Sequence, residues 1–180
     1  MGIVTRSAAH MRRKGFSLME ALVAAMILTV GLLSVASVFS TSLALVKYSE
    51  EDSIARQEAQ AMIESIFAAR NSGAHPFSDF QSKNAPISIP AGIFQDGYQP
   101  ALQPGPDGIM NTYDDGPAFE VGPDGKQLSN FRRMIQFNPV LLQDGVTIDP
   151  NTRQVQVFVQ YNIGNLTRTY TQVTYISTYR

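Results

Sequence analysis

The sequence contains no cysteine. This absence excludes a disulfide framework, a thiol nucleophile and a zinc site built from cysteine ligands. Histidine is scarce as well: only His10 and His75 are present, and neither has a partner at a recognisable catalytic spacing. There is also no phosphate-binding loop and no Gly-x-Ser-x-Gly nucleophile motif. The sequence therefore predicts no enzymatic activity.

Positive charge is concentrated at the start of the chain. The whole sequence has 14 basic and 15 acidic residues, but Arg6, Arg12, Arg13 and Lys14 all precede Gly15, with no acid among them. The remainder of the chain is therefore acidic overall. A general nucleic-acid binder would carry a basic patch, so no nucleic-acid partner is expected.

Proline and glycine are nearly absent from the first seventy residues. No proline occurs between Met1 and Pro76, and Gly31 is the only glycine between Phe16 and Arg70. From about Glu50 the sequence becomes amphipathic, and Asn71-Ser72-Gly73 is a helix-stop signal. These features predict one helix from about Ser17 to Arg70.

The first half of this helix is an uncharged apolar stretch from Ala21 to Val46. A bilayer is crossed by about 20 apolar residues, so the stretch is long enough to span a membrane. The basic cluster before it predicts a cytoplasmic amino end and an external remainder. A single-pass anchor is the plain interpretation. A secretory signal with a cleavage site near Ser34-Val35-Ala36-Ser37 is disfavoured, because its apolar stretch would be much shorter.

Glu20 lies at the very start of the apolar stretch, where an anchor has no need of a carboxylate. A charged side chain inside a bilayer costs on the order of 2.5–3.5 kcal/mol, so such a residue is a candidate functional residue. The alternative is an acid at a helix start that is stabilised by the helix dipole.

The run from Lys14 to Ala25, KGFSLMEALVAA, resembles the leader of type IV prepilins, also called the class III or prepilin-peptidase leader. In that family the leader ends in glycine, cleavage precedes a phenylalanine, and a glutamate follows four residues later. Gly15, Phe16 and Glu20 occupy these positions. The continuation Val30-Gly31-Leu32-Leu33 is similar to minor pilins of the type IV pilus modification protein V type and to I-type minor pseudopilins of type II secretion. Many major pilins have a helix-bending proline at the position that Ser37 occupies in this chain.

The resemblance implies cleavage between Gly15 and Phe16 by prepilin peptidase and methylation of the new Phe16 amine. It also implies that Glu20 pairs with the Phe16 amine of a neighbouring subunit. The implied partners are other pilin subunits through the N-terminal helix, the inner-membrane assembly platform, and membrane lipid before assembly. The implied location is the inner membrane, with the amino end cytoplasmic and the C-terminal domain periplasmic, and then the pilus at the cell surface.

The region after the helix is rich in turn-forming residues. Two Gly-Pro-Asp-Gly segments, at 105–108 and 122–125, predict turns, and Ile87 and Ile89 predict at most a short strand. Oxygen-bearing side chains in this loop make it a calcium candidate; they are Asp107, Asn111, Asp114 and Asp115. The spacing does not fit an EF-hand, and Asp and Gly form turns without metal, so the turn interpretation is favoured. No other cofactor is expected.

The C-terminal part has the alternation of half-buried strands. In the segment from Arg153 to Ile163, one face carries Val155, Val157, Val159, Tyr161 and Ile163. A strand around Met134 to Asn138 is expected before it, then a turn at 162–165, and a third strand from Leu166 to Thr178. Val173, Tyr175 and Ser177 share a face whose orientation the pattern does not fix.

The predicted fold is α+β and type IV pilin-like: a long N-terminal helix packed on a C-terminal antiparallel sheet. The expected segments are a removed leader (1–15), an apolar helix (16–46), an amphipathic helix (47–71), a loop region (72–127) and the sheet (128–180). The expected function is a minor pilin. The alternatives are a type II secretion minor pseudopilin and, in another class, a membrane-anchored binding or adhesion module that uses the loop region.

Overall fold

The computed structural model describes residues 16–82 and 92–178. The leader with Gly15, and the candidate strand at Ile87 and Ile89, lie outside the described residues. The chain divides into two compact units, Met1–Leu45 and Val46–Arg180. One helix, α1, occupies Leu18–Ser72 and contributes to both units, and the remaining elements belong to the second.

Helix α1 confirms the predicted helix to within two residues at each end. Its first backbone bond runs from the Ala21 N–H to the Ser17 carbonyl at 3.1 Å. At the other end, Gly73 has a φ of 71° and donates to the Arg70 carbonyl at 3.3 Å. A glycine in the left-handed region just after the last helical residue is a common helix stop, because it avoids the steric cost of a Cβ atom.

The part of α1 in the second unit buries one face. The buried positions recur at spacings of three and four residues, which is the period of a helix with one face on a core. They are Ile54, Ala55, Ala59, Met62, Ile63, Ile66 and Ala69. A 3₁₀ helix, Phe77–Asp79, follows α1.

Four antiparallel strands form one sheet in the order β1-β2-β3-β4. The strands are β1 (Gln99–Pro100), β2 (Phe131–Leu141), β3 (Ile148–Ile163) and β4 (Leu166–Ser177). The part of α1 in the second unit packs on this sheet, so the predicted α+β, pilin-like architecture is confirmed. The core faces of α1, β2, β3 and β4 enclose one apolar cluster with loop residues such as Phe80, Phe94 and Ile109.

Strand β3 alternates as predicted. The five predicted inward residues, Val155, Val157, Val159, Tyr161 and Ile163, are buried. Their cross-strand partners in β4 are even-numbered, for example Val159 with Tyr170. Consequently Val173 and Tyr175 lie on the outer face of the sheet, where they are 48% and 56% exposed.

The β2–β3 hairpin is longer than predicted, because β2 begins before Met134 and ends beyond Asn138, and β3 begins before Arg153. β2 runs through Pro139 and β3 through Pro150. The pairing register shifts between Pro139 and Val140. Prolines inside sheets are found at bulges, where the missing N–H breaks no ladder bond. The extended tip exposes a set of aliphatic side chains: Leu141, Leu142, Val146 and Ile148.

The hairpin between β3 and β4 turns on Gly164 and Asn165, within the predicted segment 162–165. Gly164 has a φ of 59°, and Asn111 is the only non-glycine residue of the described ranges with a positive φ. A positive φ at the first central position alone is the pattern of a type II′ turn, which suits a two-residue hairpin.

The described part of the loop region has little regular structure, as predicted. Both Gly-Pro-Asp-Gly segments are turns: Gly108 donates to Gly105 at 3.0 Å and Gly125 to Gly122 at 2.9 Å. The sequence did not predict β1, whose Gln99 pairs with Arg133 of β2. This pairing attaches the loop region to one edge of the sheet.

Candidate functional site

The N-terminal candidate site lies at the first turn of α1. Ser17 precedes the helix, and its Oγ accepts a hydrogen bond from the Glu20 N–H at 3.3 Å. Ser-x-x-Glu is the capping-box sequence, in which a serine hydroxyl caps an otherwise unpaired helix N–H. Glu20 is therefore an exposed first-turn acid, where the helix dipole favours a negative charge. This geometry is compatible with both interpretations of Glu20. The capping box was not predicted, although its four-residue signature is visible in the sequence.

The apolar half of α1 offers its whole circumference for contact. Every residue from Phe16 to Val46 is exposed, and the exposed fraction is 74% at Phe16 and 66% at Val46. An 18-residue window of α1 has a mean hydropathy of 2.4, and none of it is buried. By length and composition, α1 is the one helix of ranges 16–82 and 92–178 that could cross a membrane. A core helix would be buried, so lipid or other helices are the surroundings this segment fits.

Within the second unit, the main polar feature is a buried arginine. Arg133 of β2 is fully buried; its Nη1 donates to Glu120 Oε2 at 2.5 Å and to Glu58 Oε2 at 3.3 Å. Its Nη2 donates to the Leu102 carbonyl at 2.5 Å and lies 4.0 Å from Asp115 Oδ2. We call Arg133 with these three carboxylates the Arg133 centre. It joins α1, β2 and the loop region through one guanidinium group.

One guanidinium group cannot balance three carboxylates, and this imbalance affects protonation. Burial, together with the hydrogen bond and negative charge of Glu120, raises the pKa of Glu58 to about 8. Burial also raises the pKa of Asp115, against the hydrogen bond it accepts from the Asn111 N–H. Glu58 therefore keeps its proton near neutral pH, which reduces the net negative charge of the Arg133 centre.

The Arg133 centre was not predicted, although the sequence contains weak signals of it. Glu58 falls on the buried face of α1, next to Ala55 and Ala59. Arg133 falls on the same face of β2 as Phe131 and Ile135. A charged residue on an apolar face indicates a buried ion pair. The partners could not be chosen, because Glu58 and Arg133 are 75 residues apart.

The calcium candidates make hydrogen bonds to other residues of the loop region. Asp107 Oδ1 accepts from the Ile109 N–H at 2.8 Å, and Asp115 Oδ2 accepts from the Asn111 N–H at 2.9 Å. The Thr112 hydroxyl lies 2.7 Å from Asp114 Oδ1. Among the described residues, no group of three or more His, Cys, Asp or Glu residues could hold a metal ion. Calcium binding by Asp107, Asn111, Asp114 and Asp115 stays a prediction.

Comparison with known proteins bears on the N-terminal site. Residues 10–36 match the family model described as the prokaryotic N-terminal methylation motif. The chain carries a prepilin-type leader motif. No curated protein and no solved structure matches the chain.

The prepilin-type motif covers Gly15, Phe16 and Glu20, and it continues into the apolar half of α1. The predicted resemblance to the type IV pilin class is thereby supported at the level of that class. Together with the exposed apolar helix, the motif fits a membrane-anchored substrate of prepilin peptidase that is built into a pilin-like assembly.

Proposed function

We propose that the chain is a minor pilin: a structural subunit that is cut by prepilin peptidase between Gly15 and Phe16, methylated at Phe16, and assembled into a type IV pilus. The observation that carries the proposal is the prepilin-type motif at residues 10–36, followed by an apolar helix exposed on all sides. Such a helix exchanges lipid contacts for helix contacts at little cost, since lipid is as apolar as its side chains.

Before cleavage, the chain lies in the inner membrane with its amino end in the cytoplasm and its second unit in the periplasm. The basic residues ahead of Gly15 support this orientation. Its partners are then prepilin peptidase, the inner-membrane assembly platform and neighbouring pilin subunits.

In the assembly, Glu20 pairs with the methylated amine of Phe16 on a neighbouring subunit. Its place in the first turn of an exposed helix supports this role, because a neighbour can reach the carboxylate from the side. Removing one partner of a buried ion pair costs about 3–5 kcal/mol, enough to prevent incorporation.

Cleavage is tested by producing the chain with prepilin peptidase and measuring the mass of the mature amino terminus. The expected product begins at Phe16 and carries one added methyl group. Gly15→Val should block the cut, whereas Gly31→Val is the matched control, since a Cβ atom at Gly31 meets nothing within 4 Å. A mature product that retains the leader contradicts the proposal.

Assembly is tested with Glu20→Gln, a neutral isostere. We expect normal cleavage but loss of the subunit from sheared pili, while Glu50→Gln, which neutralises an exposed acid further along α1, is incorporated normally. Normal incorporation of Glu20→Gln would exclude the pairing role. If pili form without the chain but protein secretion fails, the subunit is instead a type II secretion pseudopilin.

A further inference from the structure

Strand β4 is an edge of the sheet, and in the described residues no strand covers its outer side. It pairs with β3 over its whole length, Leu166–Ser177, without a register shift. β4 contains no proline, and Arg168 is its only charged residue. The opposite edge is protected, because β1 has only two residues and one of them is Pro100. Sheet edges are normally protected by such prolines, bulges and charges, so β4 is an open edge.

The hairpin fixes which backbone groups of β4 point outward. In a two-residue hairpin the closing pair, Ile163 with Leu166, is hydrogen-bonded, and bonded and non-bonded pairs then alternate. The even-numbered residues of β4 therefore bond to β3. The odd-numbered residues direct their N–H and C=O groups away from the sheet; they include Thr167, Thr169, Thr171, Val173 and Tyr175.

A polar stripe of α1 runs beside this edge. Gln172 of β4 donates to Gln60 Oε1 at 3.1 Å, and the Arg56 guanidinium lies 4.9 Å from the centre of the Tyr170 ring. Glu64 follows one turn after Gln60, so Arg56, Gln60 and Glu64 share one face of the helix. All three are exposed. They line a groove with Tyr170 and Gln172.

The charges of this stripe are self-complementary about its centre. Arg56 and Glu64 lie four residues before and four residues after Gln60. Within one copy, Arg56 Nε donates to Asp52 Oδ2 at 2.9 Å and Glu64 Oε1 accepts from Gln60 Nε2 at 2.9 Å, but both Arg56 and Glu64 stay exposed and can make a second contact. A twofold axis that runs between two copies at the level of Gln60 and its partner Gln172 therefore places Arg56 of one copy opposite Glu64 of the other. The same axis places Glu64 of the first copy opposite Arg56 of the second. The axis gives antiparallel β4 strands in which Thr171 faces Val173 and Thr169 faces Tyr175, pairs that favour a sheet. Arg168 faces Ile176 and not its own copy.

We propose that a second copy of this chain docks on β4, antiparallel about the Gln60–Gln172 axis, so that the two sheets become one continuous sheet. The contact is isologous, because each copy uses the same surface. The backbone groups of β4 supply the pairing, and the two Arg56–Glu64 contacts fix the register. This surface does not involve the leader or Glu20, so it stands or fails separately from the proposed function.

The axis has a geometric consequence for where the contact occurs. The two copies of residues 46–72 run antiparallel, so the points at which the chains enter the paired units, at Val46, lie at opposite ends. Two copies whose α1 helices point the same way cannot make this contact.

The register is tested by disulfide trapping, which is clean because the chain has no cysteine. Across the axis Gln172 faces its own copy in a non-hydrogen-bonded pair, whose Cα atoms are about 4.5 Å apart, within the range of a disulfide. The full-length Gln172→Cys variant in detergent should form covalent dimers under mild oxidation. Gln136→Cys, exposed on β2, is the matched control and should stay monomeric. Equal trapping of the two variants overturns the proposal.

The charge contacts are tested by complementation between two full-length variants. Arg56→Glu places glutamates opposite each other, and Glu64→Arg does the same with arginines, so each alone should associate about ten-fold more weakly than the unchanged chain. A mixture of the two restores both opposite-charge contacts and should associate as the unchanged chain does, which a folding defect would not allow. The proposal is overturned if association does not recover in the mixture, or if the unchanged chain stays monomeric at all concentrations. Either result means that another molecule, or none, covers β4.

Discussion

At the scale of single residues, the second unit depends strongly on Arg133. Its guanidinium contacts a helix residue, a loop carboxylate and a loop carbonyl, all with little exposure to water. A buried ion pair adds little net stability compared with an apolar replacement of the whole cluster. Removing one partner, however, leaves the others buried without a compensating charge. The consequence is a site that tolerates joint replacement far better than single substitution.

Arg133→Met should therefore destabilise the second unit by about 3–5 kcal/mol, because Glu58, Glu120 and Asp115 lose the buried cation that all three of them approach. Urea unfolding of the segment from Val46 onward, followed by circular dichroism, measures the loss. Arg132→Met, at the exposed neighbouring position, is the control and should change stability by less than about 0.5 kcal/mol. Equal effects at both positions would contradict this account.

The pH dependence of stability follows from Glu58. Its pKa is raised from 4.5 to about 8, so the folded state binds a proton that the unfolded state releases between these values. The contribution of Glu58 to the free energy of unfolding should therefore be greatest below about pH 4.5. It should fall as the pH rises to about 8, by at most about 1.4 kcal/mol per pH unit.

Urea midpoints between about pH 5 and about pH 8 measure this slope, and Glu58→Gln should flatten it. Hydrogen bonds lower the pKa of Asp124 and Asp144, whose stabilisation is lost only as the pH falls below the usual range of a carboxyl group. These two groups therefore act in a separate pH window. If the dependence of stability on pH persists in Glu58→Gln, it arises from the titration of other groups.

At the scale of elements, the loop region is held by close contacts and not by regular structure. Gly105 approaches Asp114 so closely that a Cβ atom would lie 2.4 Å from the Asp114 carbonyl oxygen. Gly116, in the same loop, would bring its Cβ atom no closer than 3.6 Å to any atom. The two glycines form a matched pair.

Gly105→Ala should destabilise the second unit by about 1–3 kcal/mol, since the backbone of residues 105 and 114 must move apart. Gly116→Ala should stay within about 0.5 kcal/mol of the unchanged chain. Thermal unfolding of both variants makes the comparison. If both are neutral, the loop does not pack as tightly as this contact requires.

The predictability of each element depended on how local its determinants are. The amphipathic half of α1 and strand β3 follow from periodicity, since each residue's face is set by its near neighbours. The ends of β2 and β3 near Pro139 and Pro150 were not predicted, because a bulge in the partner strand is a non-local feature. β1 escaped detection for a similar reason: a two-residue strand ending in Pro100 has no pattern of its own.

The candidate sites follow the same rule. The prepilin-type motif is contiguous, so roles for Phe16 and Glu20 could be proposed from the sequence. The Arg133 centre joins positions 58, 115, 120 and 133, and only the fold brings them together. The open edge of β4 was equally hidden, because strand order decides which strand lies outermost.

At the scale of the whole molecule, the two units differ in whether their apolar side chains are buried. The second unit contains every buried residue of the described ranges, the first of which is Ile54. The described part of the first unit is exposed and apolar throughout. One unit therefore carries its own core, and the other obtains apolar contacts only from its surroundings.

A segment beginning at Val46 should accordingly fold alone and stay soluble, with one cooperative unfolding transition. The chain beginning at Phe16 should require detergent or lipid, because it exposes a long apolar surface. Sedimentation with and without detergent, and calorimetry of the shorter segment, check both statements. A broad transition in the shorter segment would mean that its core depends on the first unit.

The Arg133 centre also bears on how this chain can diversify. The loop between Leu102 and Glu120 is anchored at a few interior points, while side chains such as Tyr113 face solvent. The fold of this loop thus depends on a few interior contacts, so changes that preserve them should be tolerated more readily than changes that remove them.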